Sequence, residues 1–250
     1  MRALRISARI APAPPVFPPV TGPRLGVVML DTRFPRLPGD VGHPGSWPVP
    51  TVRKVVHGAW PERVVQSATG LRAAGVLDDF VVAVRGLAAQ GVAAITTSCG
   101  FLVLLQRELQ AASSVPVVSS SLLQLPALLR EQGRVGVLTI SAQRLGDEHL
   151  LAAGVPRERL QDVVVQGVDP ESEFVRAILG NRGAMDIGRA ADDVIATAVA
   201  LKARAPALQT LVLECTNMPP YAQRIHAATG WRVLSLFDSP VLCSALQQAG

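Results

Sequence analysis

The sequence predicts an α/β protein made of two pseudo-symmetric lobes, each a mainly parallel sheet flanked by helices, with a site in the cleft between them. Three observations carry that expectation. Short apolar runs alternate with longer amphipathic ones, as in a parallel sheet covered on both faces. Arg24-Leu25-Gly26-Val27-Val28 is echoed 110 residues on by Arg134-Val135-Gly136-Val137-Leu138, and the run ending Thr96-Thr97-Ser98-Cys99-Gly100 is echoed 116 residues on by Leu213-Glu214-Cys215-Thr216-Asn217. The spacing from Cys99 to Val117 in the next strand, 18 residues, recurs from Cys215 to Val233. Matches in one register mark a duplication.

The elements follow in chain order. Residues 1–23 hold six prolines and no acid, without the continuous apolar core of a secretory signal, and read as a disordered tail. The first lobe, 24–133, takes strands over 24–30, 51–57, 92–97 and 115–119, where β-branched and other apolar residues cluster between Gly, Pro and charge. Helices fall over 77–90, 101–112 and 122–132, where apolar positions recur at helical spacing; Pro126 marks a kink or a late start in the last. The second lobe, 134–239, repeats the order with strands over 134–140, 162–168, 210–214 and 232–237 and helices over 144–153, 171–179 and 186–204. A last helix, 240–248, is free to cross back onto the first lobe.

Composition narrows the function. A chain of 250 residues, 49% hydrophobic, is long enough to bury its own core. No apolar stretch reaches the roughly 18–20 residues that span a bilayer, so no membrane partner is expected. The net charge of +5 comes mostly from arginines scattered along the chain, with lysine only at Lys54 and Lys202, and aromatics are 4% of residues. No basic block stands out, which argues against nucleic acid and leaves a general pull on small anions. Three cysteines, Cys99, Cys215 and Cys243, without CxxC spacing, read as reduced thiols in a cytoplasmic protein and not as a metal site or disulfide framework.

The duplication puts Cys99 and Cys215 at equivalent strand ends, the side of an open α/β sheet where ligands bind. A thiol followed by a helix lies near free N–H groups and the positive end of the dipole, which is expected to lower its pKa toward neutrality. Gly100 allows close backbone approach, and the hydroxyls of Thr97, Ser98 and Thr216 are placed to cradle a carboxylate. Two thiols across a small carboxylate suit two-base proton transfer at the α carbon, without a metal or other cofactor.

The Thr97-Ser98-Cys99-Gly100 segment, the Glu214-Cys215-Thr216-Asn217 segment and Asp31-Thr32 after the first strand together resemble the cofactor-independent aspartate/glutamate/hydantoin racemase superfamily, over residues 24–248. The resemblance implies a racemase or epimerase of an amino acid or related small carboxylate, with Cys99 and Cys215 as acid and base, Asp31 helping to activate the nearby thiol, and a homodimer. Glutamate racemases carry Asn-Thr after the first cysteine, where this chain has Gly100-Phe101, and Gly is common before the second, where it has Glu214. Two other readings stand beside this one: a maleate-type cis/trans isomerase with a nucleophilic cysteine, and a non-catalytic two-lobed protein that binds a small acid.

Other residues complete the set. The loop 32–50, with five prolines and three glycines in 19 residues, is too long for a mere connection and reads as a lid, with Arg33 or Arg36 clamping a second anionic group. Ser119, with Ser120 and Ser121, either binds substrate or caps a helix. Asn217 is a substrate-binding candidate. Glu214 reads as a supporting residue beside Cys215, Tyr221 as helix surface or core, Cys243 as a small hydrophobe, and His43 as the histidine nearest the expected site.

Overall fold

A computed structural model describes residues 22–248; the expected tail lies, up to residue 21, outside the described residues. The strands β1 (Leu25–Leu30), β2 (Thr51–Val56), β3 (Ala94–Thr97) and β4 (Val117–Val118) form one sheet in the order β2-β1-β3-β4. The strands β5 (Val135–Thr139), β6 (Val163–Gly167), β7 (Thr210–Leu213) and β8 (Arg232–Leu234) form a second in the order β6-β5-β7-β8. Every pairing in both is parallel. The second sheet repeats the topology of the first, as the duplicated sequence requires.

Burial explains why these runs become strands. All residues of β1 and β5 are buried, because helices cover both faces of each sheet, whereas the edge strand β2 exposes three of its six. Full burial of a Val, Leu or Ile side chain is worth about 1.5–3 kcal/mol, so such central strands anchor the lobes. The echoed glycines have a packing reason: a Cβ on Gly26 would press on Ile95, Val92 and Leu87, and one on Gly136 on Leu211 and Leu208. Both let the neighbouring layers close on the central strand.

The helices are α1 (Pro61–Val64), α2 (Ala68–Ala73), α3 (Leu77–Ala88), α4 (Gln106–Ala111), α5 (Leu125–Glu131), α6 (Asp147–Ala152), α7 (Glu173–Leu179), α8 (Ile187–Arg204), α9 (Ala222–Thr229) and α10 (Pro240–Gln248). Sequence periodicity does not show α1 and α2, which are too short to display a period. It also overextends one element. Residues 101–112 are not a single α-helix: Gly100–Leu105 winds as a 3-10 helix and α4 follows. Phe101, Leu102, Val103 and Leu105 are all buried, so this segment has no solvent face to give it an amphipathic α pattern. The second lobe repeats the arrangement after Cys215, with a 3-10 turn over Pro219–Tyr221 before α9.

Two further boundaries have local causes. Strand β4 is only two residues long because side chains take over its backbone partners. Gln110 Oε1 accepts from Val117 N–H at 2.8 Å, and Gln106 bonds both Val117 O and Ser119 N–H. Pro126 marks a late start, since Ser121–Gln124 is a 3-10 turn and the proline sits in the first turn of α5, where no N–H is needed.

Helix α10 returns to the first sheet: Leu242 packs in one cluster with Leu25, Val27, Met29, Ala94 and Val118, together with Val41 and Trp47 from the loop 32–50. Among the described residues no helix is long and apolar enough to cross a membrane.

Candidate active site

Both cysteines stand where their strands end. Cys99 follows β3 in extended conformation and leads into the 3-10 helix; Cys215 follows β7. The carboxyl ends of the sheets meet, and a narrow cavity of about 20 Å³, room for about one water molecule, lies between them, lined on one side by Ser98, Cys99, Gly100 and Phe101 and on the other by Glu214, Cys215, Thr216 and Asn217. Leu30, Phe34, Pro61, Val65, Ile140 and Ile178 complete an apolar wall. The two cysteine segments are therefore opposite faces of one site.

The lobes are held shut across it. Thr216 Oγ1 donates to Ser98 O at 2.7 Å and Ser121 Oγ to Leu213 O at 2.7 Å. The loop 32–50 straps the cleft: Val41 N–H donates to Thr216 O at 3.2 Å, and Phe34 reaches into the cavity wall. At the base of the strap, Asn181 of the second lobe accepts from Arg33 N–H and donates to Asp31 O. At its far end the Trp47 indole donates to Val41 O at 2.9 Å and packs on Phe237 at 4.4 Å between ring centroids.

This closure overturns the expected low thiol pKa. Cys99 and Cys215 are each only 6% exposed. Burial, and then the neighbouring Glu214 carboxylate, push the Cys99 thiol up to about 12, against the opposing pull of the Phe101 and Leu102 N–H groups. The same two causes, in the same order, hold Cys215 well above its ordinary value despite the Asn217 N–H. No α-helix begins directly behind either sulfur, so a dipole does not offset the desolvation.

Several other expectations are corrected by side-chain position. The Asp31 carboxylate does not reach the cavity; it accepts from Gly58 N–H at 3.0 Å, lies 3.9 Å from His57 and is 42% exposed, so it caps the turn after β2. Arg33 is exposed, while Arg36 turns inward and is neutralised by Asp40 at 2.7 Å. Ser119 is not a cavity residue, because its hydroxyl donates to Gln106 at 2.6 Å and helps end β4. The Thr97 hydroxyl is spent on Ser119 O and Cys99 O, which fixes the turn beneath the thiol. His43 caps its own turn at Gly45 N–H.

Ser98, Gly100, Thr216 and Asn217 do line the cavity with the cysteines. Of these, Asn217 is bound to both neighbours: its amide nitrogen donates to Asp40, and its oxygen faces Cys215 Sγ at 3.7 Å.

Glu214, which the sequence marks as a supporting residue beside Cys215, stands in the cavity wall itself. It is 1% exposed; Oε2 accepts from Thr139 Oγ1 at 2.7 Å, while Oε1 has no hydrogen-bond partner among the described residues. Its carboxylate lies against Gly100, where an added Cβ would overlap Oε1 and the Glu214 carbonyl. The absent side chain at 100 thus makes room for the large one at 214. Gly100→Ala is expected to cost about 1–3 kcal/mol by overpacking and to displace the carboxyl, read as a lower urea midpoint with unchanged m value.

The fold is that of a two-lobed α/β enzyme family. The family model described as Asp/Glu/Hydantoin racemase matches residues 53–241, and the chain belongs to this family. Curated relatives include a dimethylsulfoniopropionate lyase of Durusdinium sp. clade D, 32% identical over 93% of this chain and 77% of its own. Dimethylsulfoniopropionate lyase 6 of Emiliania huxleyi is also 32% identical, over 90% of this chain and 59% of its own length. The chain therefore spans little more than half of that relative. Among solved structures, an arylmalonate decarboxylase variant in liganded form has a TM-score of 0.53 at 17% identity, covering 91% of this chain and 93% of that one. A glutamate racemase isoform from Bacillus anthracis has 0.53 at 16%, covering 91% and 83%. These two share the fold.

Proposed function

We propose that the protein is a lyase: one cysteine, as thiolate, removes the proton α to a carboxylate, and a substituent on the β carbon leaves. The observation that carries this reading is the wall of the cavity, which holds two thiols, one carboxyl, the neutral polar side chains of Ser98, Thr216 and Asn217 and otherwise apolar groups, with no Arg, Lys or His among its lining residues. A second substrate carboxylate would find no countercharge there, which disfavours aspartate, glutamate and the diacid of a maleate-type isomerase. The names of the curated relatives point to dimethylsulfoniopropionate, which has one carboxylate and a cationic leaving group.

The step balances on these residues. The Cα–H pair forms the new Cα=Cβ bond, the Cβ–S pair leaves on sulfur, and the products are acrylate, neutral dimethyl sulfide and a proton held by the thiol. The N–H groups of Phe101 and Leu102 beside one sulfur, or of Asn217 beside the other, favour the thiolate once it forms. Ser98 Oγ accepts from Leu30 N–H at 2.9 Å, which leaves its own proton to donate to the substrate carboxylate.

Racemisation is the second reading, favoured by the presence of a thiol on each wall. One experiment separates the two: in deuterated water a lyase releases dimethyl sulfide and acrylate from dimethylsulfoniopropionate, whereas a racemase places deuterium at the α carbon of an amino acid. Exchange without sulfide release would replace the lyase reading with the racemase one.

A further inference from the structure

We propose that Glu214 is the counter-ion that selects substrates bearing a permanent cation on the β carbon, its free oxygen Oε1 facing the onium group once the cleft opens to admit it, with the substrate carboxylate held at another part of the wall. The inference rests on the lyase reading for the position of the cation.

Three observations carry it. Glu214 is almost fully buried, lines the cavity, and has one oxygen bound to Thr139 and the other without a partner. A buried carboxylate oxygen left unpaired is costly, and a ligand cation removes that cost. The rest of the cavity lining is suited to methyl groups on a cation: Phe34 and Phe101 are aromatic, and Leu30, Val65, Ile140 and Ile178 are aliphatic. Gly100, itself a lining residue, leaves room for the carboxyl, whose Oε1 an added Cβ there would overlap.

The charged and titratable groups around the cavity are Cys99, Cys215, Tyr221, His149 behind Phe101, and the Arg36–Asp40 pair. Both thiols and the Tyr221 hydroxyl are held above their ordinary values, and burial lowers His149 to about 4. Burial raises the Glu214 carboxyl to about 7, so it is the group here that changes charge near neutrality. A bound cation favours its ionised form, and binding then releases a proton.

The test uses two ligands of nearly equal shape, 3-(trimethylammonio)propanoate and its carbon isostere 4,4-dimethylpentanoate, which keeps the carboxylate but lacks the cation, with binding measured by calorimetry. The wild-type protein is expected to bind the onium compound about 30-fold tighter or better, a common scale for a buried charge pair. Its affinity is expected to rise from pH 6 to pH 8 with release of a proton, seen as heats that differ between buffers of different ionisation enthalpy. Glu214→Gln is expected to remove most of the preference and the pH dependence while changing isostere binding by less than about threefold.

Equal affinity of the wild-type protein for both ligands, no binding of the onium compound at millimolar concentration, or equal losses for both ligands in Glu214→Gln overturns the proposal. The wild-type preference and proton release need no variant to fold. Turnover of dimethylsulfoniopropionate is scored separately. Cleavage without onium preference retires the counter-ion and keeps the lyase, and preference without cleavage does the reverse.

Discussion

Cys99→Ser and Cys215→Ser are each expected to fold, and the variant that removes the base is expected to lose about 10³-fold or more in kcat. Serine nearly matches cysteine in size, and each position is buried beside backbone donors, so melting temperatures should stay within a few degrees of wild type. The hydroxyl, however, is a far weaker acid than the thiol and supplies almost no anion. Elimination needs one base, so the two variants should lose unequal amounts; racemisation needs both, and comparable losses would favour it. The pH profile adds a second readout. Burial holds both thiols above their ordinary values, so a base drawn from them is mostly protonated at neutrality. The wild-type kcat/KM should therefore keep rising with pH beyond pH 8, toward tenfold per unit. A profile already flat at pH 7 would mean that neither thiol is the base in the closed site.

The repeated strand order was legible because a parallel sheet buried on both faces leaves continuous apolar runs, and duplication prints those runs twice. The pairing of Cys99 with Cys215 was legible for the same reason: equivalent strand ends face each other once two like lobes close. What the sequence could not show is where polar side chains spend their hydrogen bonds. Thr97, Ser119 and Asp31 sit at strand ends as expected, yet each bonds to its own surroundings, to Ser119 O, Gln106 and Gly58 N–H respectively. The thiol pKa is not legible in the local sequence because the desolvation comes from distant segments, the strap and the opposite lobe. Gly100 and Glu214 both depart from the pattern of glutamate racemases, and the structure joins the two departures, since the small residue accommodates the large one.

Asp40→Ala is expected to destabilise the protein by about 3–5 kcal/mol, the usual penalty for removing one member of a buried ion pair. The Asp40 side chain is 3% exposed and serves three partners: Arg36 Nη1 and Gly42 N–H, each at 2.7 Å on Oδ1, and the Asn217 amide on Oδ2. Arg36, 12% exposed, otherwise has only Thr32 Oγ1 at 3.2 Å and the Phe34 ring at 5.0 Å. Deleting the carboxylate leaves a guanidinium charge buried without its counter-ion and releases Asn217 from the strap. Replacing both members, as Arg36→Met with Asp40→Leu, should recover part of the loss, because no uncompensated charge remains; the double variant should therefore fall short of the summed single losses. Urea unfolding of wild type, Arg36→Met, Asp40→Leu and the double variant checks this directly, with Asp40→Ala measured beside them. Activity should respond differently from stability. Arg36 already favours the Cys99 thiolate, and freed from Asp40 its charge should do so more strongly. Folded Asp40→Ala protein should then be alkylated faster at Cys99 than wild type at the same pH, with Cys99→Ser in the same background as the control. A stability loss below about 1 kcal/mol, or alkylation that is no faster, would show that the strap is held by its apolar contacts through Phe34, Val41 and Trp47 instead.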